Sequence, residues 1–311
     1  MLTVQILINN NENTIKKTLN SILPLECDIL VGNLGCKDRT PEICLDYGAI
    51  VTPLSLNSNF SKVRNNMIQE GWNLYIEPWE ILATGHDKIS DIEDDGAYLF
   101  QIFKDNIITK QIRLWNNDIK FRNPVYETLD DITATELGCV IYSQSNPNSQ
   151  KVKDVLDKWT KANPAASEPL YYQAFDSLQS KNYDRFITLA EHYLLLNSTS
   201  MSAVIIRYYL AMIELYHKKN TQKSVKNILC CLIVNPIMAE FWCLLGDIYY
   251  SSKKYTNAKV YYENAILMGS RRPSKDKWPI EISKYKDYPN SMISNCVKVD
   301  KGLLIVAKKP D

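Results

Sequence analysis

Carboxylates and carboxamides gather in polar stretches of the first 80 residues: 9–12, 33–38, 55–60 and 77–80. Asn11, Glu12, Asn33, Asp38, Glu77 and Glu80 can hydrogen-bond a polar ligand. Arg39, Lys62 and Arg64 add positive charge that suits phosphate, and Asn65 follows directly. Each stretch comes after an apolar run, so the next question is which elements carry it.

Residues 2–8 are apolar and β-branched and predict a buried strand. Residues 14–23 place Ile15, Leu19, Ile22 and Leu23 at helical spacing, and Pro24 stops them. Residues 28–31 predict a second strand, which feeds the loop that ends in Asp38. Thr40 and Pro41 open a helix that Gly48 closes. Residues 49–53 predict a third strand, 59–70 a helix and 72–76 a fourth strand. This alternation implies parallel strands with right-handed crossovers. Ligands of such sheets bind outside the carboxyl ends of the strands, where the polar stretches fall.

Further on, residues 97–103 and 107–114 alternate as a hairpin across Asp105-Asn106. The acids Asp91, Glu93, Asp94 and Asp95 read as a solvated turn, or as a cation site.

The chain has 311 residues, enough for two domains, with 45% apolar and 23% charged residues, as in a soluble globular protein. No apolar run approaches the roughly 20 residues of a membrane span, and the N-terminus lacks a secretory signal. The eight cysteines are scattered without a C-x-x-C pair and predict reduced thiols in a cytoplasmic protein. The histidines show no metal-ligand spacing. Residues 1–150 hold 12 Lys/Arg against 20 Asp/Glu, whereas residues 151–311 hold 24 against 15. The basic half could attract nucleic acid or another acidic partner, or simply balance the acidic half.

The second half is helical and repetitive. Residues 169–196, 202–234 and 239–268 each read as two helices, broken at Lys181-Asn182, Lys219-Asn220 and Lys253-Lys254. Tyr183 and Tyr255 lie 72 residues apart, close to two periods of the about 34-residue tetratricopeptide (TPR) repeat. Trp242, Leu245, Gly246, Tyr249, Tyr255, Ala258, Tyr262 and Ala265 resemble that repeat. Arg207, Tyr208 and Tyr209 are candidate groove contacts, and residues 303–307 could pack on the last repeat.

Five segments in order resemble family 2 glycosyltransferases of the GT-A fold that carry a helical repeat tail. Asn11-Glu12 stands at the K-N-E turn, Asn33–Thr40 at the D-x-G-S-x-D-G-T loop and Phe60–Asn65 at F-x-x-x-R-N. Glu77-Pro78-Trp79-Glu80 stands at the D-x-D-E strand end. Arg113-Leu114-Trp115 and Val125-Tyr126-Glu127 stand at R-L-F and V-H-E. The resemblance covers residues 1–140 and implies a nucleotide-sugar donor bound by Asn11, Glu12, Asn33, Asp38, Arg64, Asn65 and Glu77. It implies Mn2+ or Mg2+ at Glu77 and Glu80, and Glu127 as the catalytic base that deprotonates an acceptor hydroxyl with inversion. Asn33, Trp79 and Tyr126 depart from the family pattern, Trp79 replacing a metal-binding aspartate.

The expected architecture is an α/β GT-A-like domain over 1–142, a linker and connecting helix over 143–168, TPR-like repeats over 169–272 and a capping segment over 273–311. Three functions remain open. One is sugar transfer to a large protein or other polymeric acceptor held by the repeats. Another is a catalytically degenerate transferase-like domain joined to an interaction scaffold. The third is a glycosyltransferase acting on nucleic acid.

Overall fold

A computed structural model describes residues 1–56, 59–92, 95–116, 119–129, 133–144, 150–274 and 276–300. Glu93 and Asp94 of the acidic turn, most of the 143–150 linker and residues 303–307 lie outside these. The chain divides into two compact units, one of Met1–Ala162 with Lys277–Ile280, the other of Asn163–Asp276 with Glu281–Asp311.

The first unit is built on a mixed sheet. Its elements are β1 (Leu2–Ile8), α1 (Glu12–Ile22), β2 (Asp28–Asn33), α2 (Thr40–Asp46), β3 (Ile50–Pro53), α3 (Phe60–Asn65) and β4 (Trp72–Tyr75). Then come β5 (Glu80–Thr84), α4 (His86–Ser90), β6 (Ala97–Lys104), β7 (Ile107–Trp115), β8 (Phe121–Arg122), β9 (Thr128–Leu129), β10 (Thr135–Ser143) and α5 (Gln150–Ala162). The strand order is β3-β2-β1-β4-β7-β6-β10-β5, with β8 and β9 paired apart. The strands β1 to β4 run parallel, as the βαβ alternation requires, and β7 joins β4 antiparallel.

The central strand β1 buries Val4, Ile6, Leu7 and Ile8, so both of its faces are covered, as in a parallel sheet. The helix α1 brings Ile15, Leu19 and Ile22 down on this layer, in one buried cluster with Val4, Ile6, Ile29 and Val31. Each such side chain contributes about 1.5–3 kcal/mol of burial.

One expected element is shorter than its pattern. The helix predicted over 59–70 ends at Asn65. Past it, Asn73 Oδ1 accepts from Gln69 N, Asn73 Nδ2 donates to Gln69 O, and Gln5 Nε2 donates to Met67 O. These bonds bend the chain into a turn before β4, overriding helix propensity.

The second unit is an array of helix pairs: α6 (Ser167–Gln179) with α7 (Tyr183–Leu196), α8 (Met201–Tyr216) with α9 (Thr221–Val234), and α10 (Ala239–Ser251) with α11 (Tyr255–Gly269). A further helix, α12 (Asp287–Asp300), packs on α11 through Tyr288, Met292, Ile293 and Cys296. All three turns within the pairs use a lysine in the left-handed region: Lys181 at φ 56°, Lys219 at 56° and Lys253 at 58°. Asn182 and Asn220 then cap α7 and α9 by accepting from Arg185 N and Lys223 N. Close approach within the last pair depends on Gly246, where a Cβ would stand 2.6 Å from the Tyr262 ring.

Tyr208 and Tyr209 are corrected here as groove contacts. Tyr208 packs on Tyr209 and Phe241, and its hydroxyl donates to Glu281 Oε2 at 3.4 Å. Tyr209 packs edge-on to Phe175. The two tyrosines are internal packing, and Arg207 beside them is half-buried.

Candidate functional site

A cleft of about 460 Å³ opens in the first unit past the carboxyl ends of β1 and β4. The chain after β1 supplies Asn9, Asn10 and Asn11, and the chain after β4 supplies Glu77 and Trp79. The helix α3 adds Phe60 and Arg64, β7 adds Gln111 and Arg113, and the loop between β8 and β9 adds Val125, Tyr126 and Glu127.

The charged groups of this cleft are bound to one another. Arg64 donates through Nη2 to Glu77 Oε1 at 2.5 Å and through Nε to Glu127 Oε1 at 2.9 Å. Arg113 donates through Nη2 to Glu80 Oε1 at 2.7 Å. Both guanidinium groups lie over the Tyr75 ring, that of Arg64 5.1 Å and that of Arg113 4.1 Å from its centre. Two arginines thus face three carboxylates in a largely dry setting.

Burial raises the Glu127 carboxyl above its ordinary value, with Glu77 adding to the rise, and together they outweigh the attraction of Arg64. Burial likewise raises Glu80 beside Arg113. Burial alone would lower Arg64, but Glu77 and Glu127 outweigh it and hold the guanidinium charged.

The residues expected to bind a donor have different surroundings. Asn11 lines the cleft, and its Oδ1 accepts from Asn9 N at 2.7 Å. Asn33 Oδ1 accepts from Gly35 N and Cys36 N, which makes it the builder of its own turn. Asp38 accepts from Glu12 N through Oδ2 and from Thr40 N and Oγ1 through Oδ1. Glu12 Oε2 accepts from Arg39 N in return, so the two loops are clasped together. Asn33, Asp38 and Glu12 are outside the cleft lining. Asn65 is tied to the backbone of Phe121, donating to its O and accepting from its N. Arg64, expected to neutralise phosphate, is shared between Glu77 and Glu127.

The donor set does not fit the metal that the transferase resemblance implies. Glu77 and Glu80 are each committed to an arginine, and Glu80 Oε2 also accepts from Glu77 N at 2.9 Å. Trp79 has no atom for a hard cation. Among the described residues no group of three His, Cys, Asp or Glu side chains is arranged to hold a metal.

Two cleft residues have left-handed backbone, Asn10 at φ 60° and Tyr126 at φ 54°. For a bulky aromatic such as Tyr126 this conformation costs about 1–3 kcal/mol, and such strain gathers at ligand sites. Two residues of the site, Arg113 and Tyr75, have no role that follows from the sequence motifs. The available signal was an arginine set among Ile112, Leu114 and Trp115 in a strand, since a charge so placed must be paired.

No family model matches the chain. A TPR repeat-containing protein of Synechococcus elongatus is 25% identical over 138 residues, which cover 40% of this chain and 34% of that protein. The match thus spans about a third of that relative's length. Among solved structures, the Sgt2 TPR domain from Aspergillus fumigatus is 18% identical, covering 47% of this chain and 88% of that one, with a TM-score of 0.36. MamA from Desulfovibrio magneticus is 15% identical, covering 50% and 82%, with a TM-score of 0.38. The helix pairs, whose second members begin at Tyr183, Thr221 and Tyr255, agree with the curated relative in making the second unit a TPR-like helical domain. No helix among the described residues is long and apolar enough to cross a membrane.

Proposed function

We propose that this chain is a cytoplasmic protein-interaction scaffold, in which TPR-like helix pairs take a protein partner and the α/β unit is a GT-A-like domain that no longer performs metal-dependent sugar transfer. The observation that carries this reading is the bridge from Arg64 to both Glu77 and Glu127. It occupies the cation that would neutralise a diphosphate, an acid that would hold the metal and the acid that would act as base. Stacked helix pairs, in turn, are an architecture for presenting a binding surface to another chain.

A second reading keeps the enzyme. Glu127 lies in a cleft at the carboxyl ends of parallel strands, where open α/β sheets bind ligands. In that reading a nucleotide-sugar donor binds without metal, Arg64 moves onto its phosphates, and Glu127 is released as base toward a hydroxyl of a protein, nucleic acid or other polymer.

A thermal-shift titration with UDP-, GDP- and TDP-sugars, with and without Mn2+, separates the two, because a bound ligand raises Tm by mass action. The scaffold reading expects no shift. A shift accompanied by sugar transfer that Glu127→Gln abolishes overturns it in favour of the enzyme.

A further inference from the structure

The three turns within the helix pairs gather positive charge. Residues 180–187, 217–224 and 252–259, each a turn with the start of the helix after it, hold eight Lys/Arg and one acid, Asp184. Seven of these cations are exposed, and Lys259 is half-buried. The turns between pairs, residues 195–202 and 233–239, carry no charged residue. Antiparallel helices put these two kinds of turn at opposite ends of each pair, so the charge lies along one edge of the array. Each turn within a pair joins the C-terminus of one helix to the N-terminus of the next. The helix dipoles therefore oppose one another there, and the side chains set the field.

The edge is continuous. Tyr183 stacks on His217 with ring centres 3.9 Å apart, and Lys218 pairs with Asp184, so the first two turns touch. The Tyr216 hydroxyl, just before the second turn, donates to Asp247 Oδ2, one turn before α10 ends and the third turn begins. The acids behind the edge do not neutralise it. Glu214 is 5% exposed with Lys223 3.7 Å away, Asp247 is 6% exposed beneath three tyrosine hydroxyls, and Asp176 is half-buried. Among the described residues, Lys181, Arg185, Lys219 and Lys253 have no acidic partner.

We propose that this edge docks single-stranded nucleic acid, with phosphates on the turn lysines and a base extending the Tyr183–His217 stack. A row of exposed ammonium groups neutralises phosphates and releases the counterions that the strand condenses. Single strands add base stacking on aromatic rings, and His217 stays exposed between Tyr183 and Lys218. An acidic peptide shares the charge but has no flat ring beside each charge to extend that stack. The inference goes beyond the scaffold reading and does not depend on it.

The test uses the full chain and a fluorescein-labelled oligothymidylate of about 15 nucleotides, read by anisotropy from about 50 to 200 mM salt. The triple variant Lys181→Asn, Lys219→Asn, Lys253→Asn removes three charges and keeps a residue that tolerates the left-handed turn. It should weaken binding about tenfold or more at low salt and flatten the slope of log affinity against log salt by about 2. The control Lys16→Gln, Lys17→Gln, Lys104→Gln, at three exposed lysines of the first unit, should bind as the wild type does. An abasic strand of equal length should bind at least about fivefold more weakly, the least that one stacked base contributes.

The proposal is overturned if the wild type does not bind, if the asparagine variant binds equally well, or if the control variant loses as much. Equal binding of the abasic strand overturns it as well. So does displacement of the strand by polyglutamate of matched charge, which makes an acidic peptide the occupant. Should the asparagine variant fail to fold, the abasic and polyglutamate arms on the wild type decide. The nucleotide-sugar titration concerns none of these residues, so a failure here leaves the scaffold reading standing.

Discussion

Arg64 and Glu127, 63 residues apart in sequence, are joined by a 2.9 Å hydrogen bond from Nε to Oε1 inside the cleft. The same guanidinium holds Glu77, and the side chains of the three are only 7%, 12% and 19% exposed. Removing the cation leaves two neighbouring acids without a partner. Arg64→Ala should cost about 3–5 kcal/mol in urea unfolding, the range for breaking a buried pair. The triple change Arg64→Ala, Glu77→Gln, Glu127→Gln should restore much of that loss, since it removes the charges together. If the triple variant is no more stable than the single one, the bridge is not what holds this wall.

Asp38 supplies a pH signature. Burial nudges its carboxyl upward, but hydrogen bonds from Thr40 and from Glu12 N outweigh this and leave it below the ordinary aspartate value. A carboxyl lowered by folding adds stability above its unfolded pKa of about 3.9, and this is lost as pH falls through the lower folded value. Urea midpoints measured from pH 6 down to pH 2.5 should show this loss in the wild type. Asp38→Asn, compared over the same range, should be flatter below pH 4. Parallel curves would mean the clasp between the two loops contributes nothing.

Asp247 gathers the hydroxyls of Tyr216, Tyr262 and Tyr288 within 2.5–2.6 Å. Asp247→Ala strands three phenols and opens a cavity, and should cost at least about 3 kcal/mol. Tyr288→Phe deletes one donor and should cost about 1.5–3 kcal/mol, the worth of a hydrogen bond to a charged group. Calorimetric Tm values for the two variants check the order. A smaller loss for Asp247→Ala than for Tyr288→Phe would refute the hub.

Gly246 is a packing requirement, because an added Cβ would meet three atoms of the Tyr262 ring at 2.6–2.8 Å. Gly246→Ala would gain helix propensity of about 1 kcal/mol at an open site. Here overpacking of about 1–3 kcal/mol should reverse the sign, and Tm should fall. Shortening the partner in Gly246→Ala/Tyr262→Leu relieves the clash but loses the bond to Asp247, so it should not exceed the wild type.

Much of the backbone was legible in local pattern. The run 2–8 became β1 and the hairpin 97–114 became β6 and β7, because periodicity and turn residues act over a few positions. The three helix breaks at Lys181, Lys219 and Lys253 were legible for the same reason. The site was legible only as a set of residue types. Nothing near Arg64 in sequence discloses that Glu127 will reach it, since that pairing is made where α3 docks on the β8–β9 hairpin through Ser61 and Asn65. Nor does the loop 33–38 disclose that Asn33 and Asp38 turn their oxygens onto their own backbone. The helix over 59–70 ended early where a long-range bond from Gln5 to Met67 and the side-chain bonds of Asn73 to Gln69 outweighed helix preference.

The left-handed lysines bear on how the array can change in length. Because every pair turns at the same residue type in nearly the same conformation, a segment copied from just after Lys219 through Lys253 would begin and end on matching joints. The turns of the duplicated pair would match, but one copy of α10 would face α9 in place of α11 and lose the packing of Gly246 on Tyr262 and the bond from Tyr262 to Asp247. The shared turn thus sets where a pair could be added, and the side chains at the seam, Gly246 and Asp247 among them, set what each added pair would have to match.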